Sequence, residues 1–254
     1  MPCSSASPPP PQQAPRVLAF DTSTERLAVA LGAPEGSFCT MADGGALASA
    51  NLLPQARRLL DAAGLSWADL GLIAFGAGPG AFTGLRTACA VAQGLALGLG
   101  LPVLPIDSLL IVAEDARAQC GSPDAPFEVA VAMDARMDEV YAARYLWNAG
   151  RWQALDPPAL LSLAAVAQAW AGTAPQALAG SAPLAFGDRV LWPLARRIEY
   201  EHSRAAALLR LALQQAVDGG GIDAALALPL YLRDKVAFTT QEREAARLAK
   251  AASA

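Results

Sequence analysis

Histidine and lysine are nearly absent from this chain. His202 is the single histidine, and of 19 basic residues only Lys235 and Lys250 are lysines. A histidine-based zinc site or an H-x-x-x-H metal motif needs a second histidine. His202 also lacks a catalytic-triad context: it stands between Glu201 and Ser203 and reads as a surface residue near a helix start. Cysteine is sparse as well. Cys3, Cys39, Cys89 and Cys120 are scattered without a C-x-x-C spacing, which points to free thiols in a reducing cytoplasm and not to zinc or a disulfide framework. Charged residues make up only 17% against 54% hydrophobic, the net charge is -4 and the pI about 5.0. A protein that grips RNA unaided normally carries a basic patch, so contact with nucleic acid is expected to be shared with a partner. No membrane-length segment occurs. The run Ala88 to Leu101 is interrupted by Gln93 and several glycines and stops at Pro102, short of the roughly 20 residues of a span. The start of the chain has neither the basic stretch nor the apolar stretch of a signal peptide. A soluble, cytoplasmic protein is expected.

What is present is room for one large domain or two small ones in 254 residues. Residues 1–15 are low-complexity with four consecutive prolines, and are expected to be a disordered tail. Order is expected from Arg16. Val17–Phe20 reads as a buried strand ending at Asp21, followed by a polar turn and a second strand, Leu27–Leu31, with a third around Ser37–Ala42. Residues 46–63 show helical spacing interrupted by Pro54, which implies a kink or a new start. A strand over Gly71–Gly76, a helix over Phe82–Leu99, a strand over Val103–Ile106 and a helix capped by Asp107 or Ser108 follow. Val129–Met133 then ends at Asp134 and is followed by a polar turn and the strand Val140–Trp147. This restarts the opening pattern, so two structurally similar halves are expected: residues 16–122 and 123–238, with 239–254 a frayed tail. A strand near Gly150–Leu155 and a helix capped by Ser162 continue the second half. The apolar helix Ser203–Val217 is expected in the second half and can pack back on the first. Pro229–Arg233 reads as extended and 241–250 as a short tail helix. The fold class is α/β with mixed sheets.

Two halves that each open with a strand ending in Asp resemble the actin-like ATPase (ribonuclease H-like) fold. Its ATP-using members carry glycine in those turns, so that backbone N–H groups approach phosphate. Here the turns are Asp21-Thr22-Ser23-Thr24 and Asp134-Ala135-Arg136, both without glycine, and they read as vestigial nucleotide-site turns. Gly78-Pro79-Gly80-Ala81-Phe82-Thr83-Gly84 lies between a strand and a helix, but Leu85 replaces the P-loop lysine and Pro79 removes a donor. Gly78, Pro79, Gly80 and Gly84 are therefore read as a structural turn that aims a helix. That helix carries small residues at Gly84, Ala88, Ala92, Ala96 and Gly100, with Ala90, Gly94 and Gly98 beside them. Small residues allow close helix approach, either to the chain's own sheet or to another chain. Asp134, Arg136, Asp138 and Glu139 cluster on one turn, and read as a hydrated turn held by local ion pairs more readily than as an acid/base site.

Four segments together resemble the bacterial TsaB (YeaZ) family: VLAFDTSTERLAVAL from Val17, FGAGPGAFTGLRTACAVAQGLALGL from Phe75, MDARMDEVYAARY from Met133 and PLYLRDKVA from Pro229. The resemblance implies an actin-like fold without catalytic residues, cofactor or metal. It implies a scaffold that pairs with the paralogue TsaD and the ATPase TsaE for transfer of a threonylcarbamoyl group to the adenosine next to the tRNA anticodon. It places tRNA contact in the complex only, and allows a homodimer. Pairing would use the helices over 46–63 and 82–99, with Leu52, Gln55, Leu59, Phe82, Leu85, Arg86, Cys89, Ala92, Gln93 and Ala96 as expected interface residues. Where many relatives have a His-containing segment before Leu-Leu-Pro, this chain has Ala48-Ser49-Ala50-Asn51. The rival readings are an actin-like ATPase or kinase using Asp21 and Asp134, and, more remotely, a metallopeptidase.

Overall fold

The computed structural model describes residues 15–33, 36–121 and 125–233. The expectations for the Pro-rich head and the tail helix lie outside these residues. Strands β1 (Val17–Asp21), β2 (Arg26–Ala33), β3 (Gly36–Asp43), β4 (Leu72–Gly78) and β5 (Val103–Asp107) form a sheet in the order β3-β2-β1-β4-β5. β1 runs antiparallel to β2 and parallel to β4, and β4 is parallel to β5. Strands β6 (Phe127–Asp134), β7 (Glu139–Asn148), β8 (Arg151–Ser162), β9 (Ala177–Ala179) and β10 (Arg196–Ile198) repeat that layout in the order β8-β7-β6-β9-β10. β6 is antiparallel to β7 and parallel to β9, and β9 is parallel to β10. This duplicated mixed sheet is the actin-like fold. The weak repeat around the two strand-ending aspartates thus marks a real structural duplication.

Alternation within the strands decides which helix covers which face. Leu18, Phe20, Leu27, Val29 and Phe75 point to the side covered by helices α1 (Ala48–Ala62) and α2 (Phe82–Leu99). Val17, Ala19, Leu72, Ala74 and Ile106 point to the other side, where helix α6 (Arg204–Val217) supplies Ala207, Leu208, Leu211 and Ala212. Helix α3 (Ser108–Cys120), which follows β5, packs Leu109, Val112, Ala113 and Ala116 on the second sheet. The remaining helices, α4 (Leu163–Ala169) and α5 (Ala182–Phe186), cover that sheet's outer face around Val166, Trp170 and Phe186. The two exchanged helices α3 and α6 meet between the sheets. There the buried Glu114 of α3 accepts hydrogen bonds from Arg117, Trp152 and Arg210, and Asp115 accepts from the amides of His202 and Ser203 at the start of α6.

Pro54 does not restart α1: the helix runs through it, entered by a 3-10 turn at Gly45–Leu47. The proline ring is exposed, while Leu52, Ala56, Leu59 and Leu60 bury the opposite face. That burial offsets the missing hydrogen bond. β8 is longer than expected and runs through Pro157 and Pro158: it is an edge strand, and both prolines fall in a bulge opposite Ala143, where the ladder register shifts. Asp107 is the residue that caps α3, accepting from the Leu109 amide at 2.9 Å.

Candidate functional site

A cleft of about 900 Å³ opens between the two sheets, where the β1–β2 and β6–β7 turns face each other. Its floor on the first side is sealed. Asp21 is fully buried, and its carboxylate accepts from the Ser23 amide (2.9 Å), the Ser23 hydroxyl (2.7 Å), the Ser108 hydroxyl (3.0 Å) and Arg204 Nε (3.1 Å). Arg204 is also buried and divides its other N–H groups among Ser23 Oγ, the Ser108 carbonyl and both oxygens of Glu201. Burial alone would raise the Asp21 carboxyl, but the adjacent Arg204 charge and the Ser23 hydrogen bonds outweigh it and hold it below the ordinary aspartate value. For Arg204 burial pulls downward, and Asp21 and Glu201 more than reverse it. Asp21 is therefore a charge satisfied from within the fold.

The glycine loop is wedged into this arrangement. Thr22 is buried and donates its hydroxyl to the Gly84 carbonyl at 2.6 Å, and the Ala81 amide donates to the Ser23 carbonyl at 2.8 Å. A Cβ on Gly84 would stand 1.8 Å from the Thr22 carbonyl oxygen, and one on Gly76 would stand 1.6 Å from Asp21 Oδ2. Only glycine lets the strand and helix approach the turn this closely. Gly78 and Pro79 are joined by a cis peptide bond, and Gly80 sits against Ser23. Pro79, Gly80 and Gly84 lie against the first aspartate turn or the cleft, while Gly78 packs on Leu85 and the Leu230 carbonyl and donates its amide to Ser108 Oγ.

The second side is open. Asp134 is partly exposed, takes the Arg136 amide on Oδ1 at 2.7 Å and pairs with the Arg136 guanidinium at 3.5 Å. Its own amide donates to Ser181 Oγ. Arg136, Met137 and Asp138 all have positive φ (65°, 58° and 58°), which non-glycine residues avoid. Asp138 is paired with Arg189 and Glu139 with Arg233. Only the Asp134–Arg136 pair is local to the turn; Asp138 and Glu139 pair with arginines from distant segments of the chain. No group of His, Cys, Asp and Glu among the described residues has the arrangement of a metal site. His202 is exposed at the cleft wall beside the start of α6.

Searches against known proteins decide the family. A relative from Escherichia coli (strain K12), named tRNA threonylcarbamoyladenosine biosynthesis protein TsaB, is 32% identical over 242 residues, 88% of this chain and 96% of its own length. This chain belongs to the TsaB (YeaZ) family. The TsaB protein of Haemophilus influenzae is 39% identical over 127 residues, 49% of this chain and 51% of its own. The family model of TsaD, tRNA N6-adenosine threonylcarbamoyltransferase, matches residues 47–250. Among solved structures, YeaZ from Pseudomonas aeruginosa superposes with a TM-score of 0.77 at 38% identity, covering 86% of this chain and all of that one. No helix among the described residues is long and apolar enough to cross a membrane.

Within a TsaB-type chain, the residues expected at a partner surface divide sharply. Leu52, Leu59, Leu85, Cys89, Ala92 and Ala96 have their side chains buried in the chain's own core, so the small-residue stripe Gly84, Ala88, Ala92, Ala96 serves intramolecular packing and corrects the expectation for those six. Gln93 is also turned inward, donating to the Ala224 and Ala227 carbonyls. Phe82 and Arg86 stack on each other and contact Tyr231. Gln55 is half-buried on α1. The outward face of α2 consists of Thr83, Arg86, Ala90, Gly94, Leu97 and Gly98, with Leu97 65% exposed. Helical spacing revealed both faces, but only the sheet's position shows which one is covered.

Proposed function

We propose that this chain acts in tRNA threonylcarbamoyladenosine biosynthesis as a scaffold without catalytic residues of its own, pairing with a TsaD-type transferase and, through it, with a TsaE-type ATPase and tRNA. The observation that carries this reading is the sealed first turn: Asp21 is buried, neutralised by Arg204 and has no oxygen aimed at the cleft for a metal or phosphate. It weighs against the actin-like ATPase reading, which needs that carboxylate free. Isothermal calorimetry of the purified chain with MgATP is expected to give no heat of micromolar binding.

The partner surface in this proposal is the outward face of α2 with the adjoining part of α1. Gly94 and Gly98 are exposed, and nothing lies within 4 Å of where a Cβ would be. Glycine in a helix interior costs about 0.5–1 kcal/mol relative to alanine, and no contact among the described residues explains that cost. A partner helix approaching closely would. Exposed Leu97 and Leu53 flank the surface with apolar area. Mixing the chain with its TsaD counterpart is expected to give a heterodimer by size exclusion. Gly94→Trp and Leu97→Arg should abolish that peak without unfolding the chain; an intact heterodimer with both variants would overturn the surface assignment. At physiological salt the acidic chain alone should not shift tRNA in a gel.

A further inference from the structure

The segment after α6 contains the fourth family-like motif, PLYLR (Pro229–Arg233), and the partner reading leaves it unused. Its first part is fastened to the first sheet's half: the Leu230 amide donates to the Ala77 carbonyl at 2.7 Å. Tyr231 packs its ring on Phe82 with centroids 5.0 Å apart, and its hydroxyl accepts from Arg86 Nε at 3.2 Å. The Arg86 guanidinium in turn lies 3.9 Å from the Phe82 ring centre. Two residues on, the chain has crossed to the other half. Arg233 Nη1 stands 2.6 Å from Glu139 Oε2, and Nη2 donates to the Ala135 carbonyl at 2.9 Å. Leu230 to Arg233 line the mouth of the cleft.

We propose that Tyr231–Arg233 is a latch across the cleft, tying the β6–β7 turn to the first turn of α2 so that releasing either anchor loosens both ends. The turn on the far side holds three consecutive non-glycine residues in the left-handed region, a conformation that must be imposed by contacts. Arg233 supplies several of them, at Ala135 before the strained stretch, at the Arg136 carbonyl and Met137 sulfur within it and at Glu139 after it; the Arg189–Asp138 pair supplies another. An arginine fits this role because separate N–H groups can reach a carboxylate and a backbone carbonyl together. Its side chain is only 17% exposed, so the pair is better shielded than a surface ion pair. At the near end Tyr231 holds the same helical turn through stacking and a hydrogen bond, and only the single residue Leu232 separates the two anchors.

The test is hydrogen exchange by mass spectrometry on the full-length chain, independent of any partner. Arg233→Ala is expected to speed exchange on the order of tenfold at residues 134–139 and also at 80–87, with β1 and β2 unchanged. Adding Glu139→Gln to Arg233→Ala should change nothing further, since the two act as one unit. Tyr231→Ala is the sharper variant, because Tyr231 touches α2 and not the far turn. The latch requires faster exchange at 134–139 in that variant. Unchanged exchange at 134–139 in Tyr231→Ala, or a response to Arg233→Ala confined to 134–139, would show two separate local contacts and sink the proposal. Should Arg233→Ala loosen the whole protein, the Tyr231→Ala result decides.

Discussion

The β1–β2 and β6–β7 turns occupy the same place in two copies of one sheet layout, each just after a strand that ends in aspartate, yet they are built in opposite ways. Asp21 is sealed from water by Arg204 of α6, two serines and a glycine-bearing helix. Asp134 stays partly exposed on a strained turn held by Arg136 within it, by the exposed Arg189 and by the largely covered Arg233. The difference follows from the exchanged helix. α6 reaches back to the first sheet and brings a buried cation to Asp21, whereas Arg117 of α3 is engaged by Glu114 on its own helix. A duplicated motif has thus become a structural lock on one side and a solvated rim on the other.

This contrast can be broken most severely at the lock. Arg204→Ala should cost about 3–5 kcal/mol, the penalty of leaving a buried charge unpaired, measured by urea denaturation. Asp21→Asn combined with Arg204→Met should recover part of that loss. Gly84→Ala comes next, at or beyond the ~3 kcal/mol upper end of overpacking, because the obstacle is the Thr22 backbone and not a flexible side chain. A Gly84→Ala protein as stable as the parent would show that α2 can lift off the turn. Acid should sharpen the comparison. Asp21 is depressed in the folded state, so its contribution is present above the unfolded aspartate pKa of about 4 and is lost as pH falls through the lower folded value. Melting temperature should therefore drop steeply below about pH 4 in the parent and less steeply in the Asp21→Asn, Arg204→Met variant. The smallest effect is expected at the open turn. Asp134→Asn should cost no more than about 1 kcal/mol, the order of one hydrogen bond and an exposed pair. A loss as large as that of Arg204→Ala would abolish the distinction between the two turns.

Much of the fold is legible in the sequence. The buried strands announce themselves as short apolar runs ending at Asp21 and Asp134, and α2 is bounded by the glycine loop before it and Gly100 after it, which takes a left-handed conformation at the helix end. β9 and β10 escape such reading. They are three residues each, shorter than any periodicity, and exist because β6 offers an edge for parallel pairing. Part of the candidate site was legible: Asp21 and Asp134 stand on glycine-free turns at equivalent strand ends, and the glycine loop reads as a tight turn into a helix. Its central pair was not. Asp21 and Arg204 are far apart in the chain, and one arginine among many in an arginine-biased composition carries no local mark.

The sequence by itself determined the layered α/β architecture, the duplication, the identity of the turns and the small-residue character of α2, because each depends on neighbours along the chain: alternation, helical spacing and backbone permissiveness. Tertiary structure alone decided which small residues face inward, since that depends on where the sheet lies. It also decided which aspartate meets a cation, since helix exchange brings distant residues together. The GPGAFTGLR segment shows both. Its glycines and proline specify a tight turn into a helix, but only the folded chain shows that Gly84 is needed for the Thr22 carbonyl and that Arg86 turns to Tyr231.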